Sequence, residues 1–82
     1  MTDFNTDMNV QSEQRDAITL IDEVSSTEIY VGISNNGSNI FEPFWRIKKI
    51  IKNGNVWSIT LFPNGDQRFI YIWNNRASYT YL

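Results

Sequence analysis

The stretch FWRIKKIIKNGNVWSITLFPNGDQRFIYIW, residues 44–73, decides the fold. It holds all three tryptophans and two Asn-Gly pairs, Asn53-Gly54 and Asn64-Gly65, each set between apolar runs. Asn-Gly flanked by apolar alternation is a hairpin signal. The stretch therefore reads as a three-stranded antiparallel meander.

Loop length fixes which side chains share a face. A two-residue loop at Asn53-Gly54 sets Trp45 against Phe62 and Ile47 against Thr60, mixing apolar and polar groups on both faces, which a half-buried sheet avoids. A three-residue loop, Lys52-Asn53-Gly54, sorts them. Gly54 then takes the left-handed position of a type I turn with a bulge, and Pro63-Asn64-Gly65 repeats the device with Gly65 left-handed. This register predicts Trp45 facing Leu61, Ile47 facing Ile59, Lys49 and Tyr71 flanking Trp57, and Ile59 facing Phe69.

The expected core face thus carries Trp45, Ile47, Ile51, Trp57, Ile59, Leu61, Phe69, Tyr71 and Trp73, with the Lys49 stem laid along Trp57. The opposite face divides. Arg46, Lys48, Ser58, Thr60 and Arg68 occupy one end, and Ile50, Val56, Ile70 and Ile72 the other. Four β-branched aliphatics together on a solvent face call for a cover, either the chain's own N-terminal strands or another subunit. These four, flanked by Arg46, Lys48 and Arg68, form a candidate protein interface. Phe69, Ile72 and Trp73 also fall at helical spacing, which leaves open a third strand that ends near Ile70 and coils.

With 82 residues the chain suffices for one domain with a thin core. It has neither Cys nor His, which excludes a disulfide scaffold and argues against zinc. No apolar run approaches the roughly 18 residues of a membrane span. The start, MTDFNTDMNV, has no basic and no apolar block of the signal-peptide kind. The net charge of −2 is unevenly spread: residues 1–28 carry seven acids and one base, residues 29–82 six bases and two acids. An acidic arm that docks on a basic surface of a neighbouring copy or partner is one reading of this split, and a solvated tail is the other.

Residues 1–16 show no strand or helix period and read as a flexible acidic N-terminal arm; residues 17–82 read as a single β-domain. AITLIDEV (17–24) is a first candidate strand. TEIYVGIS (27–34), alternating Ile29, Val31 and Ile33 against Glu28, Tyr30 and Gly32, is a second. NNGSN (35–39) is a loop, and ASYTYL (77–82) a short closing strand.

Catalysis finds no support in these residues. No carboxylate pair has surroundings that would split its pKa values, and Ser25, Ser26 and Ser38 have no general base. The chain is read as non-enzymatic, without metal or cofactor. Phe44, Trp45, Arg46, Lys48 and Lys49 interleave rings and bases as stacking platforms do. Strand alternation separates Trp45 from Arg46 and Lys48, however, and a sequence pI near 4.8 argues against nucleic acid as partner. Three Trp and four Tyr would suit a surface glycan, although in a thin β-domain such rings more often build the core.

One pattern runs from residue 30 to 81: Tyr30-x-Gly32, Gly37-Ser38, Trp45-x-Ile47-x-Lys49-Ile50, Asn64-Gly65, then Phe69-x-x-Ile72-Trp73-x-Asn75-Arg76-Ala77-Ser78 with Thr80-Tyr81. It resembles a family of short all-β proteins encoded among the virion genes of tailed bacteriophages. The chain departs from that pattern in about 28 extra residues before Tyr30, in Asn64-Gly65 where Asp-Gly is common, and in apolar Ile70-Tyr71 where the family is polar. The expected fold is an all-β antiparallel barrel or sandwich of about five strands. The resemblance implies a structural component of a phage particle at a tail, neck or capsid-surface position, made in the host cytoplasm. Such a component would contact other virion proteins or copies of itself, with no membrane. A small glycan- or host-surface-binding module and a phage nucleic-acid-binding accessory protein are the alternatives.

Overall fold

The structure is a computed structural model that describes residues 18–35 and 37–82. Strands β1 (Ile18–Ser25), β2 (Glu28–Ser34), β3 (Trp45–Asn53) and β4 (Val56–Leu61) form one antiparallel sheet in the order β1-β2-β3-β4. A 3₁₀ helix (Trp73–Ser78) follows. The described residues are mostly β, in an open sheet of four strands rather than the expected five-stranded barrel or sandwich. The arm expected over residues 1–16 lies outside them.

The first hairpin turns where Ser25 Oγ accepts from Thr27 N at 3.2 Å, a serine side chain standing in for a backbone carbonyl. β2 then sets Tyr30, Gly32 and Ser34 on a buried front face and Ile29, Val31 and Ile33 on a half-buried back face. Pairing Gly32↔Ile47 and Ser34↔Trp45 continues the front face onto β3.

The second hairpin differs from its expected register. Asn53 pairs with Val56, so the tip is Gly54-Asn55, and φ is positive only at Gly54 (67°). That sign pattern belongs to a two-residue type II′ loop with glycine first. The ladder shifts between Ile51 and Lys52: Lys52 pairs with Trp57, Ile51 with Ile59 and Lys49 with Leu61. The irregularity leaves Ser58 as the extra residue of a bulge, and one extra residue reverses the faces beyond it. Trp57 therefore leaves the core face and is 43% exposed; Ile59 stays on the front face but lies beyond its cover and is exposed too.

The expected third meander strand is absent. Asn64 (φ 53°) and Gly65 (φ 72°) do make a tight turn, closed by Asp66 N to Pro63 O at 2.8 Å, the two-positive-φ pattern of type I′. The chain beyond it folds over the front face instead of pairing with β4. Because β4 stops at the Lys49↔Leu61 pair, the edge of β3 is open at Trp45, and Tyr71 takes it with two backbone bonds of 2.9 and 3.0 Å. The 3₁₀ turn begins two residues later. The expected strand over 77–82 is reduced to Tyr81 bridging Pro63, fixed by bonds among Phe62, Asn64, Thr80 and Leu82.

This lobe and the front face enclose the core of Tyr30, Trp45, Ile47, Tyr71 and Trp73, with Leu20, Ile40, Tyr79 and Tyr81 packed around it. Phe69 is only partly buried, and Ile51 and Leu61 likewise. The core's polar tips are satisfied: Trp45 Nε1 donates to Asn39 O at 2.9 Å and Tyr81 OH to Arg76 O at 2.7 Å. Burial, the largest cause, pushes the Tyr81 phenol well up. Lys49 stands 5.9 and 5.7 Å from the Tyr30 and Tyr81 ring centroids and 3.5 Å from Glu28, rather than along Trp57.

Trp73 lies on the backbone of β2 at Gly32. A Cβ there would fall on Trp73 Cε3, 2.6 Å from its Cζ3 and 3.3 Å from Trp45 Cε3. Gly32→Ala is expected to destabilise by at least about 1–3 kcal/mol, the cost of overpacking a filled core, read as a lower denaturation midpoint. An unchanged midpoint would show that the ring does not rest on this strand.

Asp66 ties the turn to the core, since its Oδ2 lies 3.0 Å from Tyr71 OH and 2.7 Å from Arg68 Nη2. The Arg68 side chain, then its backbone N–H, holds the carboxyl well below the usual range. A carboxyl lowered by folding stabilises the native state above its unfolded value of about 3.9, and that contribution is lost as pH falls through the folded value. Asp66→Asn should therefore melt earlier than the parent at pH 7, with the gap closing steadily below about pH 4. A gap independent of pH would exclude this origin.

Candidate protein-binding face

The four strands place a second set of side chains on the back of the sheet. Pairings Ile21↔Val31, Thr19↔Ile33, Glu23↔Ile29, Ile29↔Ile50, Val31↔Lys48 and Ile33↔Arg46 define it, and Lys52↔Trp57 extends it past the bulge. Its centre is Ile21, Ile29, Val31, Ile33 and Ile50. Ile21 is 65% exposed and the others are half-buried. Among the described residues no second layer covers this face, since the lobe of residues 62–82 packs against the front.

On β3 the face carries Arg46, Lys48 and Lys52, with Ile50 between the last two. Arg46 lies over the Phe62 ring at 5.6 Å and donates to Gln67 Oε1 at 3.3 Å, and its buried Nε has no acceptor. Lys52 stands 5.5 Å from the Trp57 centroid. The ion pairs of the other bases lie on the front face or in the lobe: Lys49 with Glu28, Arg68 with Asp66, Arg76 with Asp22.

The expected interface is only partly assembled. Ile50, Lys48 and Arg46 do share the back face. Val56 pairs with Asn53 on the front side of the hairpin tip, two residues before the bulge at Ser58 that separates it from Ile50. Ile70 and Ile72 sit in the lobe, and Arg68 is bound to Asp66 beside the turn. Sequence reasoning left out Ile21, Ile29, Val31 and Ile33. Their signal was the alternation in β2, where an aliphatic row opposes a row containing glycine: a ring lands on the glycine row, so the aliphatics face away.

The described residues form no pocket and hold no cluster of three or more His, Cys, Asp or Glu that would suit a metal ion. No helix among them is long and apolar enough to cross a membrane. What the back of the sheet offers among the described residues is an aliphatic centre flanked by three bases.

Trp57 reports on the register. Held on the back face with Lys52 over its ring, it should lose about 1 kcal/mol or less on replacement by Ala, against roughly 3–5 kcal/mol for a tryptophan in the core. Denaturation of Trp57→Ala and Trp45→Ala side by side separates these cases, and equal losses would contradict the bulge.

No family model matches the chain, and no curated protein or solved structure matches it either.

Proposed function

We propose that this protein is a non-enzymatic structural component of a bacteriophage particle, at a tail, neck or capsid-surface position, acting through protein–protein contact. The observation that carries the contact is the back face itself: five aliphatics, Ile21 exposed and four half-buried, and three bases with no second layer over them among the described residues, while every large buried ring packs on the front. The particle is implied by the sequence pattern of residues 30–81, whose members include Tyr30, Gly32, Trp45, Ile47 and Trp73 of the core. Another virion protein or a copy of this chain would supply the second layer, giving the sandwich-like packing that the open sheet lacks. Full burial of an exposed aliphatic such as Ile21 contributes roughly 1.5–3 kcal/mol, and the four half-buried ones contribute correspondingly less.

A second reading has its own observation. Lys52 with Trp57 and Arg46 with Phe62 put bases and rings on one face, an arrangement that binds single-stranded nucleic acid through stacking and charge. The aliphatic centre, which offers bases neither stacking nor hydrogen bonds, favours protein.

Mass spectrometry of purified particles tests the first reading, combined with Ile50→Glu and Lys48→Glu chains supplied in trans. The parent should be found in particles, and each folded variant should incorporate at least tenfold less, the equivalent of about 1.4 kcal/mol. Particles without the protein, or equal incorporation of Lys48→Glu, would overturn it. Salt-sensitive binding of a single-stranded oligonucleotide that both variants abolish would favour nucleic acid instead.

A further inference from the structure

We propose that in the free protein the back face is covered by the chain's own residues 1–17. The inference deepens the assembly reading by naming what a partner must displace. It can also fail without it.

Charge is the first argument. Six bases lie within residues 18–82, and three of them are spent on the front face and lobe, with Glu28, Asp66 and Asp22. The other three, Arg46, Lys48 and Lys52, stand on the back face, where Glu23 is the one acid of the strand positions. Arg46 Nε lacks an acceptor altogether. A buried donor without a partner costs about 1–3 kcal/mol, so an arriving carboxylate that lets this guanidinium reorganise is favoured. Residues 1–17 carry four acids, Asp3, Asp7, Glu13 and Asp16, against the single base Arg15.

Shape is the second. The face alternates aliphatic ground with bases, and the segment sets Phe4 beside Asp3 and Met8 beside Asp7, with Val10 beyond. One side chain of each pair suits Val31, Ile33 and Ile50, and the other suits the β3 bases.

Reach is the third. The segment enters at Ile18, the first residue of edge strand β1. Seventeen extended residues span up to about 56 Å. Four strands at about 4.8 Å make a face about 14 Å wide, so the segment crosses it with length to spare. The tether also gives a millimolar effective concentration, which places the chain's own segment ahead of that of a second copy in dilute solution.

The chain has no cysteine, so Asn5→Cys gives one attachment point for a nitroxide on the full-length protein. In dilute solution the amide signals of Val31, Lys48 and Ile50 should broaden several-fold more than those of Asp66 and the Trp73 indole. Lys48→Glu should reduce the broadening at least threefold, and adding Asp7→Lys should restore it. An unshifted Trp73 indole signal checks that the variants stay folded. Weak, uniform broadening would overturn the proposal. So would broadening seen only when spin-labelled and isotope-labelled copies are mixed, which would make a second copy the occupant. Neither result touches the particle assay with Ile50→Glu, so the two readings fall separately.

Discussion

The fold depends on one close approach, the Trp73 indole lying on the β2 backbone at Gly32. An open sheet of four short strands cannot bury enough surface alone, and three or more strands become stable only with something packed on one face. Here the cover is an irregular lobe with a single 3₁₀ turn, and Trp73 is where it grips. Arg76 reinforces the grip. Its guanidinium lies 4.6 Å from the Trp73 centroid while donating to Asp22 Oδ2 on β1 at 2.9 Å. The lobe thus spans the sheet, from β3 at Trp45–Tyr71 to β1 at Asp22.

The β character, the tight turns at Gly54 and Gly65 and the burial of Trp45, Ile47, Tyr71 and Trp73 were legible because each rests on local signals: alternation, Asn-Gly and ring size. The register was not. Reading Lys52-Asn53-Gly54 as a three-residue loop placed Trp57 in the core, whereas the loop is Gly54-Asn55 and a bulge at Ser58 turns Trp57 outward. A bulge leaves no mark in hydropathy, since it shifts faces without changing composition. The third strand failed for a different reason. Its sequence suits a strand, but the free edge of β3 at Trp45 accepts only the short contact with Tyr71, and Trp73 lands on Gly32 only if the chain coils directly afterwards. The helical spacing of Phe69, Ile72 and Trp73 carried that information beside the strand pattern.

The missed half of the back face has the same root. Counting aliphatics around the Asn-Gly turns gathered Ile50, Val56, Ile70 and Ile72, which the true register scatters over the hairpin tip and the lobe. The row Ile29-Val31-Ile33 is continuous in space with Ile50 and Ile21. It is recognised as outward-facing only once Gly32 is understood as the landing place of a ring. A small residue among larger ones on a strand marks the face that something else approaches, and the aliphatics between those positions then belong to the other side.

The two faces divide the charged residues by role. Asp22, Glu28 and Asp66 each bind a base, Arg76, Lys49 and Arg68 in turn, at the places where the lobe meets the sheet or turns upon itself. Folding uses those six groups. It does not use Arg46, Lys48 and Lys52 in that way, and like charges gathered on one face of a strand, with Glu23 the one acid among the strand positions there, repel one another in the isolated sheet. Nor does the lobe bury the aliphatics beside them. Both features run against the stability of the domain alone, on the same face and in adjacent positions. A surface that is costly to the monomer in two ways at once is most simply accounted for by an occupant that brings carboxylates and apolar side chains to it together.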